Sequence, residues 1–279
     1  MTTNHPVRRV TRAAFFDLDK TILATSSSMA LRSPCVSAGI ISRREALIGV
    51  LIHLPYLIGG ADEQRMEHMA EALGALTKGM DPHQLEDVAT QSLRSSIDPV
   101  IYTQALEEIY ARRNAGYAIV IASASVEQLV RPIARLLGAD FVLASIADID
   151  EDGRFAGTLS LYNQAEEKAR SCERLAKRNG WEMSDCAAFS DSVSDVPLLE
   201  AVGEPHAVNP DRELRKIADE RGWPILRFTD YAHMRPWWLR PTKNGKSIPS
   251  IRAAAIGVVG GVALTFALSQ VVRSVRRGR

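Results

Sequence analysis

The run AFFDLDKTIL, residues 14–23, sets two aspartates, Asp17 and Asp19, directly behind an apolar stretch. Apolar residues leading into a carboxylate pair describe a buried strand that presents acids at its C-terminal end. Open parallel sheets bind ligands at that end of their strands. Two carboxylates this close repel each other. A folded chain keeps them only beside a compensating charge, such as a divalent cation, or with a shared proton.

The rest of the chain fits a sheet of that kind. Residues 12–17 read as its first strand. Residues 26–115 contain no alternating stretch and read as helices near 43–58, 62–77 and 99–115. The last of these follows Asp98-Pro99, where proline suits a first helical turn. Gly116 ends it and a strand over 117–122 begins. The segment VEQLVRPIARLLG has apolar residues at helical spacing and closes at Gly138. A strand pair follows, FVLASIADID and RFAGTLSL, joined by the turn Glu151-Asp152-Gly153. Helix 163–179, strand 186–190, a helix near 195–201, strand 205–208, helix 211–221 and strand 225–228 complete the series. Such alternation predicts an α/β fold, a doubly wound parallel sheet with helices on both faces.

Charge and composition narrow the partners. The formal net charge is +1, so no global field favours nucleic acid, and none is expected as a partner. Cys35, Cys172 and Cys186 lack CxxC spacing and read as reduced thiols. His53, His68 and His83 show no metal-ligand spacing. The opening MTTNHPVRRVTR has no apolar core of a secretory signal.

Residues 231–250 read as a linker, with Tyr231, Pro236, Trp237, Trp238, Pro241 and Pro249 among basic residues. Beyond it, residues 253–272 run for 20 positions without a charge, long enough to span a bilayer. A membrane-anchoring helix is therefore expected over 251–273. Gly257 and Gly261 form a GxxxG that permits close helix packing and a homodimer. The tryptophan pair suits an interfacial belt, while arginines on both sides leave the orientation open. An amphipathic helix lying on the membrane, or a buried soluble helix, remains an alternative. With no signal segment, the expectation is a membrane-associated protein whose main domain faces the cytoplasm. The apolar run at 47–60 is too short to span and reads as helix core.

The acid pair and its spacing resemble motif I (DxDxT) of the haloacid dehalogenase superfamily, with Thr21 as its threonine. Three further motifs follow in order. IVIASAS, 119–125, resembles motif II, with Ser123 at the strand end. Lys168, in AEEKARSCERLA, resembles motif III. AAFSDSVSDVPLLE, 187–200, resembles motif IV, with Asp191 and Asp195. Each residue alone has an ordinary reading as a cap, a turn residue or a solvated lysine. Four ordered matches do not. The resemblance covers roughly residues 10–230 and is nearest to the phosphoserine-phosphatase-like subgroup, subfamily IB. It implies a catalytic core over 10–25 and 99–230 with a helical cap inserted over 26–98.

The resemblance also implies a phosphatase acting on a small phosphorylated substrate. Asp17 would be the nucleophile that forms an aspartyl-phosphate. Asp19 would give a proton to the leaving oxygen and then take one from water. Mg²⁺ would be held by Asp17, Asp191 and the Asp19 carbonyl, hard oxygen ligands of the kind that ion prefers. Ser123 would hydrogen-bond the phosphoryl oxygens, and Lys168 would neutralise them and Asp17. Thr21 would pin the loop after the first strand, and Asp195 would support the metal shell or orient Lys168.

Several neighbours depart from the subgroup. Ser26 stands where a glutamate usually meets the substrate ammonium, Ser123-Ala124-Ser125 replaces SGG, and motif IV reads Ser190-Asp191-Ser192-Val193-Ser194-Asp195 in place of GDGxND. Phosphoserine is therefore not the favoured substrate. Ser26, Ser27 and Ser28 suit a polar or larger one, and Arg43, Arg44 and Arg65 offer charges to a substrate carboxylate. Phosphotransfer from Asp17 to an alcohol, or a non-catalytic, membrane-anchored binding protein, stands as the alternative. The triplet Asp19-Lys20-Thr21 resembles the DKT of ion-pumping ATPases, but the acid at position 17 sets a different register.

Overall fold

Strand β1 (Arg12–Phe16) is apolar on successive residues because both of its faces are covered. It lies inside the sheet, parallel to β2 (Tyr117–Val126) on one side and to β5 (Ala187–Ser190) on the other. The computed structural model describes residues 10–42 and 71–231. Within them the sheet has seven strands. Strands β3 (Phe141–Ile149) and β4 (Phe155–Leu161) extend it beyond β2. Strands β6 (Glu204–Val208) and β7 (Ile225–Leu226) extend it beyond β5, giving the order β4-β3-β2-β1-β5-β6-β7.

The period of two along each strand sorts side chains onto two cores. Ala14, Phe16, Ile119, Ile121 and Phe189 face one side. There they meet α1 (Ser27–Ser37), α2 (Pro82–Gln91), α3 (Thr103–Asn114) and α4 (Glu127–Leu136). Ala13, Phe15, Ala118, Val120 and Ala188 face the other side. They pack on α5 (Ala165–Asn179), α6 (Val196–Ala201) and α7 (Arg212–Arg221). Phe16 and Phe189 stack across β1 and β5 with centroids 4.4 Å apart. This locks the register of the two strands whose ends carry the acids.

The sheet is mixed rather than wholly parallel. β4 runs antiparallel to β3 at the edge. The connection between them, residues 150–154, is too short for the crossover that a parallel pair needs. Asp150 caps this turn by accepting from the N–H groups of Asp152 and Arg154, and Gly153 takes a φ of 74° that a side chain would resist.

Other elements differ in extent. The helix expected over 99–115 begins only at Thr103, after a 3₁₀ turn at Asp98–Val100. The backbone between them is claimed by tertiary pairing. Ala24 N–H donates to Val100 C=O at 2.7 Å, Tyr102 N–H to Ile22 C=O at 2.9 Å, and Thr103 N–H to Asp230 C=O at 2.7 Å. β2 continues past Ala122 to Val126 with a register shift between them. β7 is two residues long, shorter than the strand expected over 225–228. Helices α1 and α2 add to the helices expected over 26–115.

The helix expected near 43–58 lies outside the described residues, and that near 62–77 is described only over 71–77, where it is helical. The expected cap, 26–98, therefore falls partly outside them. Its described helices α1 and α2 contribute Leu31, Cys35, Leu85 and Ala89 to the same core as Phe16 and Ile121. No helix among the described residues is long and apolar enough to cross a membrane. Most of the linker, the run at 251–273 and the pair Gly257 and Gly261 lie outside them.

Candidate active site

The acids gather because β1 and β5 are neighbours running the same way. Asp17 follows the last residue of β1, and its N–H donates to Phe189 C=O at 2.9 Å, tying it to β5. Asp191 follows the last residue of β5. The Thr21 hydroxyl donates to Asp191 Oδ1 at 3.2 Å, so the loop after β1 is joined to the loop after β5. Asp195 N-caps α6 by position, yet its side chain turns to Lys168 instead of to the helix.

Lys168, in the first turns of α5, is almost wholly buried. Its ammonium donates to Asp17 Oδ1 at 2.9 Å and to Asp195 Oδ2 at 2.7 Å. Of the two roles expected for Asp195, the structure shows the contact with Lys168. The Ser190 hydroxyl donates to the same Asp195 oxygen at 2.6 Å. Asp195 Oδ1 is buried and has no hydrogen-bond partner among the described residues.

Asp19 and Ser123 join the group from the β2 side. Asp19 Oδ1 accepts from Ser27 N–H at 2.6 Å, and Oδ2 accepts from the Ser125 hydroxyl at 2.8 Å. Ser123 Oγ accepts from Ser125 N–H at 3.1 Å. The end of β2 is held from behind by Asn163, whose amide donates to Ser123 C=O at 3.1 Å and to Leu143 C=O at 3.0 Å. Asp211 braces the Asp191 loop. Its N–H donates to Asp191 C=O at 2.8 Å, and its Oδ2 accepts from Val193 N–H at 2.9 Å.

Ser190, Ser125, Asn163 and Asp211 thus support the acids without a role foretold by the motifs, and Ser27, expected to meet substrate, is fully buried with its N–H on Asp19. Ser125 and Ser190 stood inside the motifs and carried a weak signal as departures from the usual glycines. Asn163 and Asp211 carried none. Ser26 is used locally: its Oγ N-caps α1 by accepting from Met29 N–H at 3.3 Å.

One buried cation among several carboxylates leaves an excess of negative charge. Burial pushes the Asp17 carboxyl up to about 7, against the pull of Lys168 and helped by the charges of Asp195 and Asp19. Burial, then the charges of Asp17 and Asp195, raises Asp191 well above the ordinary carboxylate range. Burial disfavours the Lys168 charge, but Asp17 and Asp195 outweigh it and hold the ammonium protonated.

The group can therefore accept positive charge. Among the described residues no three His, Cys, Asp or Glu side chains lie close enough to hold a metal by themselves. An ion here would need backbone oxygen, water or ligand oxygen beside Asp17 and Asp191. An all-oxygen set, mutually repelling carboxylates and the orphaned Asp195 oxygen fit a hard divalent cation with part of its water shell.

Comparison with known proteins gives the family. A family model described as haloacid dehalogenase-like hydrolase matches residues 14–200. A Streptomyces azureus protein named "Inhibition of morphological differentiation protein" is 41% identical over 266 residues, covering 95% of this chain and 94% of its own. A Mycobacterium tuberculosis protein named as a probable phosphatase is 38% identical over 263 residues, covering 93% and 90%. A solved phosphoserine phosphatase, captured as a phospho-aspartyl intermediate analogue, superposes with a TM-score of 0.57 at 19% identity, over 78% of this chain and 94% of that one. That last likeness concerns the fold. With the family model spanning both acid-bearing strand ends and Lys168, the chain belongs to the haloacid dehalogenase-like hydrolases and is a phosphatase-type member of that family.

Proposed function

We propose that the protein hydrolyses a small phosphate monoester through an aspartyl-phosphate on Asp17, with Mg²⁺ as cofactor. The observation that carries this reading is the buried Lys168 ammonium shared by Asp17 and Asp195. A lysine is desolvated this fully when a fixed positive charge is wanted at one point. Here that point is the carboxylate that must approach an anionic phosphoryl group.

Phosphate monoesters resist attack because their oxygens repel nucleophiles, so catalysis is mostly positioning and charge neutralisation. Lys168 holds Asp17 in one rotamer and offsets charge on the incoming phosphoryl group. The Ser123 hydroxyl, fixed at the end of β2, donates to a phosphoryl oxygen. Asp17 attacks phosphorus while the ester oxygen leaves with a proton from Asp19. Water then attacks the aspartyl-phosphate, Asp19 takes its proton, and phosphate departs. When bound by the side chains of Asp17 and Asp191 and the Asp19 carbonyl, Mg²⁺ supplies further neutralisation of the phosphoryl oxygens.

Within small phosphorylated metabolites, phosphoserine is possible but not favoured as the substrate. An ammonium-bearing substrate needs a counter-charge, and Ser26 is neutral and committed to capping α1. We further propose that residues 251–273 attach the protein to the cytoplasmic face of a membrane, a reading that rests on the charge-free run 253–272 within them.

Asp17→Asn is the direct test. It should abolish phosphate release from p-nitrophenyl phosphate in the presence of Mg²⁺, whereas retained turnover would remove Asp17 as nucleophile. Product analysis with added glycerol separates hydrolysis from phosphotransfer. Deleting residues 248–279 should move the protein from the membrane fraction to the soluble one. A full-length chain that is already soluble without detergent overturns the attachment.

A further inference from the structure

We infer that Ser125, backed by Ser27, is a positioning residue that holds Asp19 through both halves of the reaction. The inference rests on the hydrolase reading above, in which Asp19 moves the proton. Asp19 is partly exposed and sits on the loop after β1, next to Lys20, whose φ of 64° is unusual for a side chain. Two groups outside its own turn fix its carboxylate, one on α1 and one on β2. Ser27 N–H reaches Oδ1 at 2.6 Å, and the Ser125 hydroxyl reaches Oδ2 at 2.8 Å.

Ser125 is itself rigidly placed. It lies on the irregular end of β2, where the register slips between Ala122 and Val126. Its N–H is bonded to Ser123 Oγ at 3.1 Å. The preceding carbonyl, that of Ala124, accepts from the Ser145 hydroxyl at 2.6 Å. Ser145 Oγ in turn accepts from Asn163 N–H at 3.0 Å. Ser27 is fully buried, and its hydroxyl lies 3.0 Å from Ser125 Oγ.

The chemistry explains why a hydroxyl is suited to this place. In the first half, the bond from Asp17 to phosphorus forms and the bond from phosphorus to the ester oxygen breaks. The Asp19 carboxyl gives its proton to that oxygen, and the alcohol leaves. In the second half, the water oxygen bonds to phosphorus, the bond from Asp17 breaks, and the water proton returns to Asp19. Asp19 is thus an acid in one half and a carboxylate in the other. The Ser125 hydroxyl donates to Oδ2 and so fixes the orientation of the carboxyl in both halves. The proton of the acid form stays free for the ester oxygen, whereas a group at position 125 that could only accept would draw that proton to itself.

The test compares leaving groups, using the full chain with Mg²⁺. p-Nitrophenolate departs without a proton, whereas the alkoxide of glycerol 2-phosphate needs one. The value of kcat/KM covers the steps up to leaving-group departure, so it isolates the acid half. In S125A the ratio of kcat/KM for glycerol 2-phosphate to that for p-nitrophenyl phosphate should fall by roughly tenfold, a fraction of what general acid catalysis supplies. S125T, which keeps the hydroxyl, should restore the ratio. The ratio does not depend on the fraction of enzyme folded. Equal losses on both substrates, or no loss on either, overturn the role of Ser125 and leave the hydrolase reading intact. Full activity in Asp17→Asn, by contrast, removes the hydrolase reading and this inference with it.

Discussion

Lys168 and Asp17, 151 positions apart in the chain, meet as a buried ion pair at 2.9 Å. The same ammonium reaches Asp195 at 2.7 Å, so a single cation holds the ends of β1, α5 and the segment that opens α6 in one place. A buried pair of this kind is costly to assemble and still more costly to break, because each partner relieves the desolvation of the other.

Lys168→Met keeps the length of the side chain and removes the charge. It should reduce kcat/KM on an aryl phosphate by about a hundredfold or more, the range for loss of one preorganised charge at a reacting centre. It should also lower stability by about 3 kcal/mol, since Asp195 is left buried and unpaired beside Ser190. Urea unfolding followed by fluorescence checks the second figure, and unchanged stability would show that Asp195 finds another partner.

The Asp17 carboxyl gives a pH dependence with a definite sign. Burial raises it from 3.8 to about 7 in the folded protein. Between those values the folded chain keeps a proton that the unfolded chain has released, so stability falls as pH rises. The contribution is complete below about pH 4 and gone above about pH 7. In chelator, the urea midpoint should therefore decline from pH 5 to pH 7.5. Asp17→Asn, neutral throughout, should flatten the decline. A decline of the same slope in that variant would assign it to other groups.

Divalent cation should reverse that trend. Protons and Mg²⁺ compete for the same carboxylates: burial raises both Asp17 and Asp191, and the charge of Asp17 adds to the rise at Asp191. Added Mg²⁺ should raise the melting temperature more at pH 8 than at pH 5, and Asp191→Asn should remove most of the difference. A thermal scan that is insensitive to Mg²⁺ at both pH values would count against a metal at this site.

Asn163→Ala tests the brace behind β2. The buried amide donates to Ser123 C=O and Leu143 C=O, and truncation leaves both carbonyls without it. The cost should be about 1–3 kcal/mol. Because Ser123 would lose its fixed position, KM for an aryl phosphate should rise more than kcat falls. Steady-state kinetics with a denaturation curve separates the two effects.

Gly203→Ala should destabilise the fold without touching the chemistry. A Cβ there would lie 1.8 Å from the Ser184 carbonyl oxygen and 2.7 Å from its carbon, backbone atoms that cannot step aside cheaply. Overpacking of this kind costs about 1–3 kcal/mol or more. Gly203 precedes β6, at the end of the sheet away from the acids. The kcat of the folded fraction should therefore match that of the parent.

The residues around Asp17 show how far local pattern reaches. The apolar run before it, the β/α alternation after residue 116 and the helical spacing of α4 and α5 are written in short stretches of chain. Burial and periodicity act there over a few residues, so β1, β2, the acid-bearing loops and the two-faced sheet were legible in sequence alone. What depended on partners far along the chain was not. The 3₁₀ turn and extended backbone before Thr103 arise because residues 100–103 pair with 22–24 and 230. β2 runs on to Val126 because β3 pairs with it there. Motif order pointed to Asp17, Asp19, Lys168, Asp191 and Asp195. The resemblance also foretold that Lys168 meets Asp17 and Asp195, but only packing decided that Ser125, 106 positions away, bonds to Asp19. A hydrogen bond needs two groups within about 3 Å. For residues a hundred positions apart, that distance is set by how β1, β2, β5 and α5 pack, and no local run of sequence contains it.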